Sequence, residues 1–170
     1  MQVVIVLIFL IKKVMKKILS DKDIDLIFSL VTDDWERIDR YGKYDQLFID
    51  NKIIQNRIES FFEKKITKKP IMKILRMNEG DGIPTFSADY SNMTDDYYKR
   101  YVDTNFIIQI CLNDDYDGGT ITKVKDEFIP KKGFGFIQNK TEKCSINKIT
   151  KGTAYFLFIF ISKIQTNSLL

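Results

Sequence analysis

The chain of 170 residues contains no histidine. Histidine is the usual general base near neutral pH and the commonest metal ligand, so mechanisms that need an imidazole from this chain are excluded. Cysteine is also scarce, since Cys111 and Cys144 are the only two and lie far apart. Such a pair does not make a disulfide framework and favours a reducing compartment. We therefore expect an intracellular, cytoplasmic protein.

A strong excess of one charge is also missing. The net charge is +4, from 27 basic and 23 acidic residues, and no basic block is interleaved with aromatic residues. This small excess is typical of a solvated surface, so we expect no nucleic-acid partner. A hydrophobic content of 44% is ordinary for a soluble domain with one core. The richness in Lys, Ile, Asn and Asp suits a gene of low G+C content, from a virus or an intracellular organism.

No apolar run is long enough to cross a bilayer, which takes about 20 residues in a helix. The run Met1–Ile11 has no basic region before it and no small-residue cleavage site after it, so a signal peptide is not predicted. Three interpretations stay open: a leading strand in the core, an anchor on a membrane surface with a collar of lysines, or an extension upstream of a start at Met15. We treat 1–17 as a separate apolar and basic segment and 18–170 as one domain.

Two helices are predicted in the first half of the domain. Ser20 followed by acidic residues is typical of a helix N-cap, and apolar residues then recur at helical spacing to Val31. A second amphipathic helix is predicted over Ile49–Lys65. The polar segment Trp35–Asp45 between them is predicted to be a turn. We expect both helices to pack against the outside of a sheet.

Strands and tight turns dominate the rest of the chain. Each strand is a short apolar run bounded by turn residues: Ile71–Met77, Phe106–Leu112, Thr120–Phe128, Gly133–Gln138 and Thr153–Ile161. The segment 91–101 is polar and predicted to be a loop, and the segment 139–148 is polar. Tyrosines around the first of them, Tyr90, Tyr97, Tyr98 and Tyr101, suit either a rim for protein contact or packing over the sheet edge.

The turn motifs occur in a particular series. Leu112–Gly119 reads Leu-Asn-Asp-Asp-Tyr-Asp-Gly-Gly, Pro130–Gly133 reads Pro-Lys-Lys-Gly, and Ile149–Thr153 reads Ile-Thr-Lys-Gly-Thr. This series resembles the prolyl-4-hydroxylase-like family of 2-oxoglutarate, Fe(II)-dependent oxygenases, over Leu19–Ile161. The resemblance implies a mainly β fold with supporting helices (α+β), namely a double-stranded β-helix or jelly-roll barrel packed on N-terminal helices.

The same resemblance implies where the family's functional residues fall. The family holds Fe(II) with two histidines and one carboxylate, and pairs 2-oxoglutarate with a basic residue. Its His-x-Asp motif corresponds to Ser87-Ala88-Asp89, and its second histidine to Cys144. The basic residue corresponds to Ala154, and a supporting tyrosine to Met77. Only the carboxylate, Asp89, is kept.

These replacements predict a loss of oxygenase chemistry. A hydroxyl and a thiol are poor Fe(II) ligands beside one carboxylate. A carboxylate buried without its cation costs about 3–5 kcal/mol, or two to three orders of magnitude in affinity. We therefore expect no Fe(II) and no 2-oxoglutarate cofactor and no catalytic residue. The predicted function is a catalytically inactive oxygenase-like scaffold with a protein partner.

Other functions stay open on the sequence. An active 2-oxoglutarate, Fe(II)-dependent dioxygenase of the prolyl 4-hydroxylase type would need an atypical site built from carboxylates. The candidates are Asp89, Asp95, Asp96, Asp103, Asp114, Asp115 and Glu142. Asp89 with Cys144 could hold another metal, and Cys144 beside Lys143 could be a nucleophile. Ser87 as a catalytic serine has less support, and residues 1–17 could contact a membrane surface.

Overall fold

The computed structural model describes residues 15–165. The run Met1–Ile11, with its three interpretations, lies outside the described residues. Helix α1 covers Asp21–Ser29 and begins at the predicted cap, where the Ser20 hydroxyl accepts a hydrogen bond from the Asp23 amide at 3.2 Å. The Asp23 carboxylate in turn accepts from the Ser20 amide at 3.0 Å, which completes a capping box.

The second helix, α2, covers Lys52–Phe62 and is shorter than the predicted Ile49–Lys65. Asn51 caps its first turn by accepting hydrogen bonds from the amides of Ile53 and Ile54. The helix ends because Glu63 adopts a left-handed conformation with φ of 53°. An ion pair of 3.0 Å from Arg57 to Asp23 joins the two helices.

Two antiparallel sheets form the rest of the domain. In spatial order the large sheet contains β1 (Lys16–Lys17), β11 (Phe134–Asn139), β7 (Phe106–Cys111), β14 (Ala154–Ile161), β5 (Ile71–Met77), β3 (Tyr44–Ile49) and β2 (Glu36–Ile38). The small sheet contains β10 (Asp126–Phe128), β9 (Ile121–Lys123), β12 (Lys143–Ile146) and β6 (Ile83–Ser87). Two further two-stranded antiparallel sheets complete the domain: β13 (Ile149–Lys151) pairs with β8 (Asp117–Gly118), and β15 (Ile164–Gln165) pairs with β4 (Lys65–Ile66). The predicted jelly-roll fold is confirmed: mainly β, with the helices on one side.

Two local predictions were wrong. Thr120–Phe128 is not one strand, because the chain turns back at Val124, whose φ is 59°, to make the hairpin of β9 and β10. The segment 35–45 is not only a turn, since it contains β2 and the start of β3, and the polar segment 139–148 contains β12. These strands are short and largely polar, so neither their length nor their hydrophobicity marked them as strands.

The large sheet is buried on both faces, which explains its unbroken apolar strands. One face packs on the helices, where Ile74, Ile110 and Leu157 meet Ile24 and Ile54. The other face, together with the small sheet, encloses the barrel interior. Its core side chains include Leu75, Ile107, Phe156, Phe158, Cys144 and Ile146. No helix among residues 15–165 is long and apolar enough to cross a membrane.

Candidate functional site

The residues that match the iron motif lie at one end of the small sheet. β6 and β12 are paired, with Ser87 opposite Lys143 and Phe86 opposite Cys144. Ser87 and Asp89 line one cavity at the mouth of the barrel, whereas Cys144 is not among the described residues that line it. Cys144 instead belongs to the barrel core. The fold thus brings Ser87 and Asp89 to one place and Cys144 to a neighbouring one.

Cys144 is a neutral, buried thiol. Its side chain is 1% exposed, and its sulfur lies 4.0 Å from the Oε1 atom of Gln109. Burial raises the pKa of this thiol to about 11, so it is protonated at neutral pH. Only the thiolate is a good metal ligand or nucleophile. The environment of Cys144 therefore argues against both roles.

Asp89 is exposed and already has partners. Its carboxylate accepts hydrogen bonds from the amide and the hydroxyl of Ser91, and Lys140 approaches it at 3.6 Å. The hydrogen bond from the Ser91 hydroxyl, with that from the amide, holds the pKa of Asp89 below its usual value. Asp89 is therefore an ionised turn residue at the surface.

The positions that match the 2-oxoglutarate anchor are apolar. Met77 and Ala154 are Cα partners on β5 and β14, and both are fully buried in the barrel core. A methyl group and a thioether offer no charge to a carboxylate. The charge-assisted hydrogen bonds that a guanidinium or ammonium would provide are therefore missing at this position.

The available donors do not fit an Fe(II) centre. Among residues 15–165, no three side chains of His, Cys, Asp or Glu converge closely enough to hold a metal ion. Ser87 offers a hydroxyl, Cys144 a protonated thiol, and Asp89 a carboxylate turned toward Ser91. The Fe(II) site of non-haem oxygenases combines two imidazoles with one carboxylate, and these residues supply no imidazole. Several alternative carboxylates are engaged elsewhere: Asp95 with Arg40, Asp103 with Lys68, Asp114 with the amide of Lys132, and Glu142 with the amide of Asn139.

The cavity itself has a volume of about 350 Å³, within the size range of small-molecule sites. Its walls include the aromatic residues Tyr44, Phe86, Tyr90, Tyr98, Phe158 and Phe160. Of its two basic side chains, Arg40 and Lys73, only Lys73 is buried. Arg40 and Asp89 stand at its entrance as exposed charged residues. A small molecule can therefore enter the barrel interior, where the buried basic group in the wall is the amine of Lys73.

Lys73 is the functional candidate that sequence reasoning missed. It is 4% exposed, and its Nζ donates a hydrogen bond of 3.1 Å to the Oε1 atom of Gln46. The same Nζ lies 5.2 Å from the ring centroids of Tyr101 and Phe160 and 5.5 Å from that of Tyr44. Burial lowers its pKa to about 7. Alternation along β5 was the available signal, because Lys73 shares a strand face with the apolar Ile71 and Leu75.

A second buried polar group lies deeper in the barrel. The Gln109 side-chain amide donates to the Oε1 atom of Gln138 at 2.7 Å. The Nζ of Lys123 donates to the carbonyl of Ile137 at 2.8 Å and pairs with Glu142 at 3.5 Å. This network satisfies its own members, so we regard it as structural.

The tyrosines near the mouth mostly point inward. Tyr98 is 7% and Tyr101 1% exposed, and the Tyr97 hydroxyl donates to Gln46 Oε1 at 2.7 Å. Of the two interpretations of these tyrosines, packing inside the fold therefore describes Tyr98 and Tyr101 better than an exposed rim for protein contact. Tyr41, on the neighbouring turn, is 54% exposed and meets Tyr98 edge to face at 5.3 Å.

Comparison with known proteins supports the fold alone. No protein-family model and no curated protein matches this sequence. A 2OG-Fe(II) oxygenase family oxidoreductase from Burkholderia pseudomallei is 14% identical with a TM-score of 0.61, covering 83% of this chain and 79% of its own. A viral collagen prolyl hydroxylase from Paramecium bursaria Chlorella virus-1, in complex with 2OG, is 14% identical with a TM-score of 0.63 and coverages of 86% and 92%. A prolyl-4-hydroxylase from Pseudomonas putida is 10% identical with a TM-score of 0.65 and coverages of 88% and 91%.

Proposed function

We propose that this chain is an oxygenase-fold domain that uses neither iron nor 2-oxoglutarate and acts as a protein-binding scaffold. One observation carries the first half of this proposal. The positions that match the two histidines, the basic anchor and the supporting tyrosine are Ser87, Cys144, Ala154 and Met77, inside a barrel that is otherwise kept. Function lies in sites rather than in folds, and these side chains do not supply the site.

The chemistry of each position supports the same conclusion. The thiol of Cys144 is protonated, and Ala154 is packed in the apolar core without a charge. Restoring either the metal or the cosubstrate site would need more than one substitution. The domain is therefore better suited to binding than to oxygen chemistry.

A protein partner is the second half of the proposal, and the mouth of the barrel is the surface that favours it. Tyr41 is exposed there beside Arg40, and tyrosine and arginine are enriched at protein interfaces. Tyr41 is already oriented by its edge contact with Tyr98, so little side-chain entropy is lost on binding.

Calorimetry and a turnover assay test the first half. Addition of 2-oxoglutarate to the full chain, with Fe(II) present under anaerobic conditions, should release no binding heat. Aerobic incubation of the same mixture should release no succinate above the protein-free control. Saturable binding with succinate release would instead support an active dioxygenase with an atypical site.

Selection from a displayed peptide library tests the second half. Peptides that bind the full chain should bind the Tyr41→Ser variant at least about tenfold more weakly, a loss of about 1.4 kcal/mol. Ile129→Ser is the matched control, since Ile129 is 85% exposed but is not among the residues that line the cavity in the described part of the chain. Equal effects of both substitutions, or of neither, would refute a partner site at the mouth.

A further inference from the structure

The cavity contains a buried amine, the Nζ of Lys73. In the described part of the chain, no carboxylate oxygen pairs with this Nζ, and Gln46 is its only hydrogen-bond partner. A buried lysine is normally paired, because an isolated buried charge is costly. Burial without a carboxylate partner therefore favours the neutral form of the Lys73 amine, whereas a solvated surface lysine keeps its proton.

The surroundings of Lys73 combine hydrophobic walls with access from solvent. Tyr44, Phe158 and Phe160 line the same cavity as Lys73, and Arg40, Tyr41 and Asp89 lie at its mouth. A lysine desolvated in a hydrophobic pocket is an activated nucleophile, and imines with carbonyl compounds are its usual products. We propose that Lys73 captures small, neutral aldehydes in this cavity as imines.

The reaction needs no cofactor. The lone pair of neutral Nζ attacks the carbonyl carbon, and the carbonyl π electrons move to oxygen. A proton passes from nitrogen to that oxygen to give a carbinolamine. Loss of one water molecule then leaves a carbon–nitrogen double bond, so amine and aldehyde give imine and water without oxidant or reductant.

A neutral ligand fits the cavity better than an anion. Of the two basic residues in the lining, Arg40 is already paired with Asp95, and the carboxylate of Asp89 stands at the same entrance. An entering carboxylate would therefore meet an arginine already paired with Asp95 and a carboxylate, Asp89, whose partner Lys140 lies 3.6 Å away. An aldehyde with an apolar or aromatic body instead meets aromatic walls, and about 350 Å³ holds a molecule the size of benzaldehyde.

The protonation of Lys73 depends on groups from several parts of the fold. Burial, with a smaller effect from the positive charge of Arg100, lowers its pKa to about 7, and Glu36 opposes this. The other facing groups are Tyr44, Tyr97 and Tyr101, whose pKa values are all raised by burial, so they stay neutral in this range. At pH 7 roughly 10³-fold more of this amine is neutral than of an ordinary lysine of pKa 10.5.

Reductive trapping tests this directly on the full chain. Benzaldehyde and cyanoborohydride are added over pH 5 to pH 8, and peptide mass spectrometry locates the benzyl groups. We expect labelling at Lys73 at neutral pH, falling roughly fivefold from pH 7 to pH 6. Lys22, an exposed lysine on α1, is the internal control and should be labelled at least about 100-fold less at pH 7.

Two variants and a second probe test whether the label depends on this amine and on the cavity around it. Lys73→Arg keeps a cation but should abolish the label, and Ser87→Trp should reduce it by narrowing the cavity while Lys73 remains. The probe 4-carboxybenzaldehyde should label Lys73 less than benzaldehyde does. Equal labelling of Lys22 and Lys73, or stronger labelling by the carboxylated probe, would overturn the proposal. Neither result bears on iron binding, so the proposed function is tested separately.

Discussion

The buried lysine makes the stability of this protein depend on pH in an unusual window. In the folded chain the pKa of Lys73 is about 7, whereas in the unfolded chain it is near 10.5. Between these values the unfolded state binds one more proton than the folded state, so stability rises with pH. From pH 6 to pH 8 the free energy of unfolding should increase by about 1.4 kcal/mol.

The absence of histidine makes this window unusually simple to interpret. No imidazole titrates between pH 6 and pH 8, and the buried cysteines ionise only above it. Lys73→Met should remove the pH dependence and be at least as stable as wild type at pH 6, since it replaces a buried charge by an apolar chain of similar length. Lys22→Met, at an exposed site on α1, should leave the dependence unchanged.

Urea unfolding followed by the fluorescence of Trp35, the single tryptophan, measures all three proteins at each pH. Trp35 is a useful reporter because the Arg76 guanidinium stacks on its ring at 4.3 Å. A wild-type stability that is flat from pH 6 to pH 8, or a slope that persists in Lys73→Met, would refute the reasoning.

Three further predictions concern the barrel. Asp81→Asn should cost about 2 kcal/mol in urea unfolding, since the buried carboxylate accepts two hydrogen bonds from Arg37 at 2.8 and 2.6 Å. Asp39→Asn is the control: its carboxylate is exposed and lies 3.4 Å from Nε of the same Arg37, so the change should cost under about 0.5 kcal/mol. Gly135→Ala should cost at least about 2 kcal/mol in the same assay, because a Cβ there would lie 2.2 Å from the Gln109 carbonyl oxygen, and a neutral result would contradict this packing. The two cysteines are buried with raised pKa values, so a thiol reagent should label neither until urea unfolds the chain, and rapid labelling of the native protein would contradict their burial.

Strong local patterns were enough to predict most of the elements. The strand Ile71–Met77 has the predicted bounds, and Ser20 caps its helix as predicted, because an apolar run and a capping box are set by neighbouring residues. The short strand β12 could not be found in this way. It is held by pairing with distant partners, such as Cys144 with Lys123, which no local pattern reveals.

The site was predicted only in part, for a physical reason. Motif matching located Ser87, Asp89 and Cys144, the positions on which the proposed absence of an iron site rests. It overlooked Lys73, which the alternation of β5 places inward but which nothing in the sequence marks as lining a cavity. The inward packing of Tyr101 depends on its ring contact with Phe160 of β14, which is a tertiary contact.

Anaerobic titration of Fe(II) into the full chain is the most direct test of whether the barrel works without iron. We expect no saturable site in wild type, and none in Asp89→Ala, because Ser87, Asp89 and a protonated Cys144 do not make a ligand set. The double variant Ser87→His, Cys144→His serves as the comparison in which two imidazoles are supplied. A tight site of one Fe(II) per wild-type chain that disappears in Asp89→Ala would contradict the proposal.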